Sequence, residues 1–468
     1  MSEKEKTVAE TLKEQLFYKP TVASESMDET AVKAADAYCV GYAAFLDAAK
    51  TEREAVDEGV RIAKANGFTA FEPGKALKAG DKVYLNNRGK ALILAVVGNR
   101  PITDGVSIAV AHVDSPRLDL KPVPLYEDHK LAYFDTHYYG GIKKYQWAAI
   151  PLALHGVVVR KDGTTVTVKI GEEPTDPVLC VTDLLPHLAQ EQMKRPAGDI
   201  IRGEDLNVLI GSLPFKDDTS AEAVKLNVLN MLFEKYGITE ADFLSAELEI
   251  VPAFGARDVG LDRSMIGSYG HDDRVCAYPA ITALMEQEIP AYTAVTILAD
   301  KEEIGSEGNT GMQSAFLRDF IDDLAAAFGE KSHHVLANYL CLSADVNAAF
   351  DPIYPDVMES KNCSYINRGV VLTKYTGARG KSGTSDASAE TMGTVRRMMD
   401  DAGVVWQVGE LGRVDAGGGG TVAMYMANLN VDTVDLGVPV LSMHAPFEIV
   451  SKLDVYMAHK AFAALFSR

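Results

Sequence analysis

Short apolar runs that alternate with helical segments are the feature that most constrains the fold of this chain. Each run is bounded by Gly, Pro or polar residues, which is typical of buried strands. Helical stretches such as residues 274–287 lie between them. Alternating strands and helices predict an α/β fold with a central mixed sheet flanked by helices. The runs lie at 91–97, 106–111, 292–299, 339–344, 369–373 and 438–443.

The texture of the sequence changes between about residues 117 and 254. Residues 157–160 and 165–170 flank Lys161-Asp162-Gly163, which is a hairpin signal, and proline is frequent. Residues 221–236 look helical and end at Gly237. We therefore expect a discontinuous catalytic domain (1–116 and 255–468) that is interrupted by a β-rich domain at 117–254, a normal domain size.

Composition excludes several classes of function. The formal net charge of −20 argues against nucleic-acid binding, because a phosphate backbone requires a basic face. No apolar run is long enough to cross a bilayer, and the start MSEKEKTVAE has no secretory pattern. The five cysteines are odd in number and far apart, so neither a disulfide framework nor a cysteine zinc site is expected. A reducing cytoplasm fits these features.

Acidic and histidine residues follow several of the predicted strands, where ligands bind in open α/β sheets. His112 comes directly after a strand, and Asp114, two residues on, faces the same side and can fix the imidazole tautomer. Glu302 and Glu303 follow the strand at 292–299, so one could bind a metal while the other accepts a proton.

Three further segments complete this set, and each has a simpler structural explanation. Asp272 and Asp273 precede a helix, so each could be a cap, and one of the two could bridge two metals. Asp345 is either a cap or a ligand, and a strand-end histidine such as His444 is often structural. Taken together, nitrogen and oxygen donors suit zinc, manganese or cobalt and exclude a thiolate site. Two metals with a carboxylate bridge would form a centre for amide hydrolysis.

The same set, in this order, resembles the M18 family of metalloaminopeptidases, which includes aspartyl aminopeptidase and the aminopeptidase I type. The resemblance covers nearly the whole chain. Its most specific part is the stretch VDLGVPVLSMHAPFE from Val434 to Glu448. The other matching segments are Ala111-His112-Val113-Asp114-Ser115-Pro116, Gly270-His271-Asp272-Asp273-Arg274, Glu302-Glu303-Ile304-Gly305 and Asp345-Val346-Asn347.

The resemblance implies a role for each of these residues. His112 and Asp345 would hold one metal, Glu303 and His444 would hold the other, and Asp272 would bridge the two ions. Asp114 would orient His112. Glu302 would act as general base, taking a proton from the attacking water and delivering it to the leaving amine. The cofactor implied is two divalent ions per subunit, with zinc expected and manganese or cobalt as alternatives.

The resemblance also implies an assembly and a substrate. The expected form is a homo-oligomer, a tetrahedral dodecamer built from dimers through the inserted domain, that acts on peptides. His187 matches a family histidine that reaches the neighbouring subunit's site, and Lys374 matches a lysine of the substrate pocket. The basic segment Arg379-Gly380-Lys381-Ser382-Gly383 could also read an acidic group, or be a surface loop.

The predicted function is therefore metal-dependent hydrolysis of the N-terminal peptide bond, with an acidic or neutral N-terminal residue. The related M42 aminopeptidases, which also have an inserted domain, are one alternative. A two-metal deacylase or carboxypeptidase is another, and it would accept peptides that are blocked at the N-terminus. A non-catalytic peptide-binding shell is disfavoured because all the ligand positions and the base are present.

Overall fold

The computed structural model describes residues 6–217, 221–377 and 379–468. Before residue 117 the helices are α1 (Val8–Leu16), α2 (Ala23–Ser26), α3 (Glu29–Ala48) and α4 (Glu52–Ala65), and the strands are β1 (Thr69–Ala70), β2 (Lys82–Asn87), β3 (Ala91–Val96) and β4 (Val106–His112). The next part of the chain contains β5 (Arg117–Asp128), β6 (Leu131–Tyr139), β7 (Leu152–Val159), β8 (Thr165–Ile170), β9 (Cys180–Val181), β10 (Val208–Gly211), α5 (Ala223–Tyr236) and β11 (Ala246–Pro252).

The remainder of the chain returns to alternating strands and helices. Its strands are β12 (Arg257–Val259), β13 (Met265–Ser268), β14 (Thr293–Ala299), β15 (Leu340–Ala344), β16 (Asn347–Ala348), β17 (Val370–Thr373), β18 (Trp406–Val408), β19 (Asp432–Gly437), β20 (Pro439–Leu441) and β21 (Glu448–Ser451). Its helices are α6 (His271–Met285), α7 (Phe316–Ala326), α8 (Ser332–Leu336), α9 (Ala389–Asp401), α10 (Ala423–Ala427) and α11 (Lys452–Phe466).

The largest sheet has the order β1-β2-β3-β14-β4-β15-β19-β17-β18 over the described residues. Strands β14, β4, β15 and β19 run parallel to one another, whereas β3 pairs antiparallel with β14 and β17 pairs antiparallel with β19. Every residue of β3, β4, β14 and β15 is buried, which explains why their sequences are continuous apolar runs. The predicted central mixed sheet flanked by helices is confirmed.

Helices cover both faces of this sheet. Leu92, Leu94 and Val96 of β3 face one core together with side chains of α3, α4, α6 and α11. Ile93 and Ala95 face the opposite core, which α7, α8 and α10 close. This alternation follows from the two-residue period of a strand. Each fully buried Leu or Ile contributes about 1.5–3 kcal/mol, so packing on both faces stabilises the sheet.

The segment between residues 117 and 252 forms a separate sheet. Its order is β8-β7-β11-β5-β6-β10-β9, and its pairings are antiparallel. The predicted hairpin around Gly163 is present, because β7 and β8 pair from Leu154 to Thr165. Helix α5 ends at Gly237, whose left-handed backbone (φ 68°) no other residue adopts as easily. We call this segment the inserted unit.

The sequence prediction was wrong about the last strand. The run at 438–443 was expected in the central sheet, but Asp432–Gly437 takes that place beside β15. The buried polar side chains Thr433 and Asp435 interrupt the apolar pattern of this strand, so the sequence pattern did not indicate it. Pro439–Leu441 belongs instead to a smaller sheet of order β12-β13-β21-β20-β16. None of the helices in the described ranges is both long and apolar enough to cross a membrane.

Candidate metal centre

Three parallel strands bring chemically active residues to one edge of the central sheet. His112 is the last residue of β4, and it pairs in register with Ala299 at the end of β14. The chain then turns through Asp300 into a short helical turn at Glu302–Ile304. Asp345 follows β15, the neighbour of β4 on its other side. Because parallel strands end at the same edge, these side chains meet there.

Asp272 lies between the two histidines. Its Oδ1 is 3.0 Å from His112 Nε2, and its Oδ2 is 3.1 Å from His444 Nε2. The side chain is 4% exposed. Both oxygens therefore face imidazoles, although its position at the start of α6 also allowed a capping role. This is the arrangement expected of a carboxylate that is shared by two cations.

His112 is held from both sides of its ring. Its Nε2 lies 3.8 Å from Asp345 Oδ1, in addition to the Asp272 contact. Its Nδ1 lies 3.0 Å from the carbonyl oxygen of Asp114 and 3.3 Å from that residue's Oδ1. A donor bond from Nδ1 leaves Nε2 as the free ligand atom, which fixes the tautomer.

Asp114 also fixes the two glutamates. The backbone N–H of Glu302 donates to Asp114 Oδ1 (3.1 Å), and that of Glu303 donates to Oδ2 (3.2 Å). Their side chains then separate into different groups. The ligand atoms of Glu302 lie with those of His112 and Asp345, and those of Glu303 lie with His112 and Asp272, each set within 4.8 Å.

His444 is the last of the predicted metal ligands. Its Nε2 is 3.6 Å from Glu303 Oε1, and its Nδ1 donates to the carbonyl oxygen of Gly141 (2.8 Å). Glu448 accepts the backbone N–H groups of both His444 (2.7 Å) and Asp272 (3.1 Å). This buried carboxylate therefore ties together two of the proposed ligands.

Sequence reasoning missed three residues that support the ligands. Glu448 lies in the Val434–Glu448 stretch and was given no role. Tyr139, whose hydroxyl donates to Asp114 Oδ2 (2.8 Å), and Gly141 belong to the inserted unit, far away in sequence. The only local signal is that Tyr139-Gly140-Gly141 follows a strand, and this signal does not indicate a contact with the sheet edge.

Burial and then the crowding of carboxylates determine the pKa shifts of the centre. Burial and then the Asp345 carboxylate raise the pKa of Glu302 to about 8. Burial and then Asp272 raise the pKa of Glu303. Burial alone would raise the pKa of Asp272, but its bonds to His112 and His444 bring that pKa below the usual Asp range. Negative groups that raise one another's pKa in a buried site favour a bound cation.

The donor set fits divalent metal ions. All the groups are imidazole nitrogens or carboxylate oxygens, as zinc, manganese and cobalt accept. Glu303 Oε1 is buried, and it has no hydrogen-bond partner among the described residues. Such an atom needs a partner, and a cation that His444 and Asp272 also face would supply one.

A cavity of about 500 Å³ opens onto this centre. Its apolar wall consists of Val346, Leu411, Met424, Tyr425 and Met443, and the backbone of residues 418–420 forms another side. Among the described residues that line it, none is Lys or Arg.

Two predicted substrate-binding residues lie outside this lining. Lys374 follows β17, but its ammonium pairs with Asp386 (2.6 Å), as does that of Lys381 (3.0 Å). His187 is exposed on the inserted unit. Within one chain, therefore, neither residue lines the cavity.

Comparisons with known proteins identify the family of the chain. Residues 45–466 match the family model described as Aminopeptidase I zinc metalloprotease (M18). A Clostridium acetobutylicum protein named "Probable M18 family aminopeptidase 1" is 52% identical over 428 residues, 90% of this chain and 92% of that protein. Its Thermotoga maritima namesake is 46% identical over 438 residues, 92% of this chain and 96% of that protein.

Solved structures show the same fold. The crystal structure of aminopeptidase I from Clostridium acetobutylicum superposes with a TM-score of 0.92 and 48% identity, covering 97% of this chain and 100% of that chain. The S. cerevisiae mApe1 dodecamer superposes with a TM-score of 0.75 at 20% identity, covering 94% of this chain and 98% of that chain. At that identity the second likeness shows the fold alone.

Proposed function

The chain belongs to the M18 family of metal-dependent aminopeptidases, which are exopeptidase hydrolases, and we propose that it uses two divalent ions and Glu302 to hydrolyse the N-terminal peptide bond. Asp272 is the observation that carries this proposal, because its two oxygens face His112 and His444 separately. A single-ion site would not need a carboxylate placed between two imidazoles.

Each ion would have its own ligands. His112 and Asp345 would hold one ion, Glu303 and His444 would hold the other, and Asp272 would contact both. Zinc is the metal proposed, with manganese and cobalt as alternatives that the same donors accept. When bound, the ions would supply positive charge that polarises the scissile carbonyl.

Glu302 is the proposed general base. Its carboxylate lies beside His112 and Asp345 and at the edge of the cavity, so a water molecule between it and a peptide carbonyl is within reach. It would take a proton from that water and return it to the departing amine nitrogen. Burial and Asp345 raise the pKa of Glu302 to about 8 in the metal-free centre, and bound cations would lower this pKa and leave the carboxylate ionised, as a base requires.

The cavity favours a neutral, apolar N-terminal side chain. Its wall of Met424, Met443 and Leu411 can pack against Leu or Met. An acidic side chain would need a free cation, but Lys374 and Lys381 are both paired with Asp386. We therefore propose that the chain belongs to the neutral-specific branch of its family.

The test is release of Leu, Met, Asp and Glu from unblocked aminoacyl substrates, with N-acetylated peptides in parallel. We expect Leu and Met to be released faster than Asp and Glu, N-acetylated peptides to stay intact, and a chelator to stop release. Faster release of Asp would overturn the neutral preference and direct attention to Arg379 and Lys381. Cleavage of the acetylated peptides would support the deacylase or carboxypeptidase alternative instead.

We also propose that residues 117–254, the predicted domain that contains the inserted unit, join subunits into a homo-oligomer, a tetrahedral dodecamer. Apolar side chains stand exposed around His187 on this unit, including Leu184, Leu185, Leu188 and Met193. Exposed patches of this kind mark protein contacts. The dodecameric mApe1 has the same fold.

The five cysteines are unpaired, which fits a reducing compartment such as the cytoplasm.

A further inference from the structure

A three-residue segment of the inserted unit contacts both halves of the metal centre. The segment is Tyr139-Gly140-Gly141, where the chain leaves β6. The Tyr139 hydroxyl donates to Asp114 Oδ2 (2.8 Å), and Asp114 in turn holds the ring of His112. The Gly141 carbonyl accepts from His444 Nδ1 (2.8 Å). One histidine from each proposed metal site thus depends on this segment for its orientation.

Gly140 brings the segment close to a third ligand. Its backbone is left-handed (φ 74°). A Cβ atom at this position would lie 3.3 Å from Glu303 Oε2 and 3.4 Å from Glu303 Cβ. A larger residue would therefore be strained and would press on the Glu303 side chain. The close approach leaves little room for a side chain at position 140 beside Glu303.

The inserted unit also anchors the segment firmly. The guanidinium of Arg117 lies 3.9 Å from the centre of the Tyr139 ring, a cation–π contact. Arg117 is itself buried among carboxylates, with Asp119 at 2.8 Å, Glu249 at 3.2 Å and Glu52 at 3.3 Å. Glu52 belongs to α4, outside the inserted unit. This ion cluster therefore joins the inserted unit to the rest of the chain directly behind Tyr139.

We propose that Tyr139-Gly140-Gly141 is a positioning element through which the inserted unit sets the geometry of both metal sites. This inference rests on the proposed two-metal function and extends it. The inserted unit would then serve each subunit's own centre, in addition to any contacts between subunits. Tyr139 acts through Asp114, and Gly141 acts directly on His444.

Tyr139→Phe tests the proposal because it removes only the hydroxyl. Partners that orient a metal ligand typically contribute 10- to 100-fold to metal affinity or activity. We expect the zinc affinity of the metal-free full chain, measured by calorimetric titration, to fall by about 10-fold or more in this variant. We also expect kcat to fall while KM changes little. Tyr138→Phe on the same strand is the matched control and should match the wild type in both.

A double-variant comparison separates positioning from general structural support. If Tyr139 acts through Asp114, Asp114→Asn combined with Tyr139→Phe should bind zinc no more weakly than Asp114→Asn alone. If the losses of zinc affinity from the two substitutions multiply in the double variant, the proposal is overturned. It is also overturned if Tyr139→Phe keeps the wild-type zinc affinity and turnover, or if this substitution lowers only thermal stability. A wild-type protein that neither binds zinc nor releases amino acids would overturn the proposed function, and the inference with it.

Discussion

Glu302 and Glu303 are adjacent, yet the structure separates their surroundings. Both backbone N–H groups bind Asp114, so the turn that carries them is fixed. Glu303 Oε1 then faces His444, while Glu302 lies with His112 and Asp345. These surroundings support the proposal that Glu303 holds an ion and that Glu302 serves as the base. A single substitution can separate the two roles.

Glu302→Gln removes the base and keeps the shape of the side chain. General bases contribute about 10²–10⁴-fold to rate, so we expect kcat to fall by about that factor. Metal content should equal that of the wild type, because Glu302 is not among the proposed ligands. Elemental analysis and initial rates on a leucyl substrate measure the two quantities.

Glu307→Gln is the matched control for this substitution. Glu307 is exposed, lies in the same loop and is not part of the cavity lining. It should keep the wild-type rate. A Glu302→Gln enzyme that retains full turnover would rule out the proposed base.

Residues that lie next to strand ends could be found from the sequence, but their supports could not. His112 and Asp345 directly follow an apolar run, Glu302 and Glu303 come shortly after one, and parallel strands bring such positions together. Tyr139 and Gly141 reach the centre from another unit of the chain. Their contacts depend on how the two units pack, and no local pattern reports this.

At the scale of elements, helix α4 links the inserted unit to the central sheet. Glu54 of α4 accepts from His155 Nδ1 of β7 (2.9 Å), and Glu172 accepts from His155 Nε2 (3.0 Å). Lys50 also binds Glu172 (2.7 Å). Since both ring nitrogens donate, the imidazole carries its proton. This buried cluster makes stability depend on pH.

The direction of that dependence follows from the pKa shifts. Burial lowers the pKa of His155, but Glu172 and Glu54 outweigh it and raise this pKa above 6.5. Its stabilisation is therefore complete below pH 6.5 and is lost as pH rises through the folded pKa. Burial raises the pKa of Glu54, but His155 outweighs it and lowers this pKa below 4.5, so that contribution is lost only in acid.

His155→Gln should remove this contribution. We expect a loss of about 3 kcal/mol in the free energy of unfolding near neutral to mildly acid pH, because two buried carboxylates lose a charged partner. The difference from the wild type should shrink as pH rises through the folded pKa of His155, which lies above 6.5. Urea unfolding at fixed protein concentration measures it.

Lys33→Ala provides the reference for an exposed ion pair. Lys33 binds Glu29 on the surface of α3, so its loss should change stability by less than about 1 kcal/mol at any pH. The role given to the cluster would be contradicted if His155→Gln lowered the free energy of unfolding no more than Lys33→Ala does. It would also be contradicted if His155→Gln lowered it by the same amount at every pH.

Elements with uniform apolar runs could be located from the sequence, whereas a mixed run could not. The strands β3, β4, β14 and β15 are buried on both faces, so their sequences are continuous apolar runs. Strand β19 carries Thr433 and Asp435 into the interior, where Thr421 donates to Asp435 Oδ1 (2.7 Å). That compensating bond lies outside the strand, so the local pattern pointed to the next apolar run.

At the scale of the whole molecule, His187 offers a test of assembly. It is exposed and does not line the cavity of its own chain, so the proposed catalytic role requires a neighbouring subunit. His187→Ala and Glu302→Gln should each be nearly inactive alone. Co-expressed in one oligomer, they should recover about a quarter of wild-type activity, since a paired inactive subunit supplies His187 to an intact centre. No recovery in a verified mixed oligomer would contradict a role for His187 across subunits.

The most direct measurement is titration of the metal-free protein with zinc, counting bound ions per chain while release of leucine from an unblocked substrate is followed. The account predicts that two ions bind per chain and that full activity requires the second. Full activity with one ion per chain, or leucine release that persists with none, would contradict the two-metal centre built around Asp272.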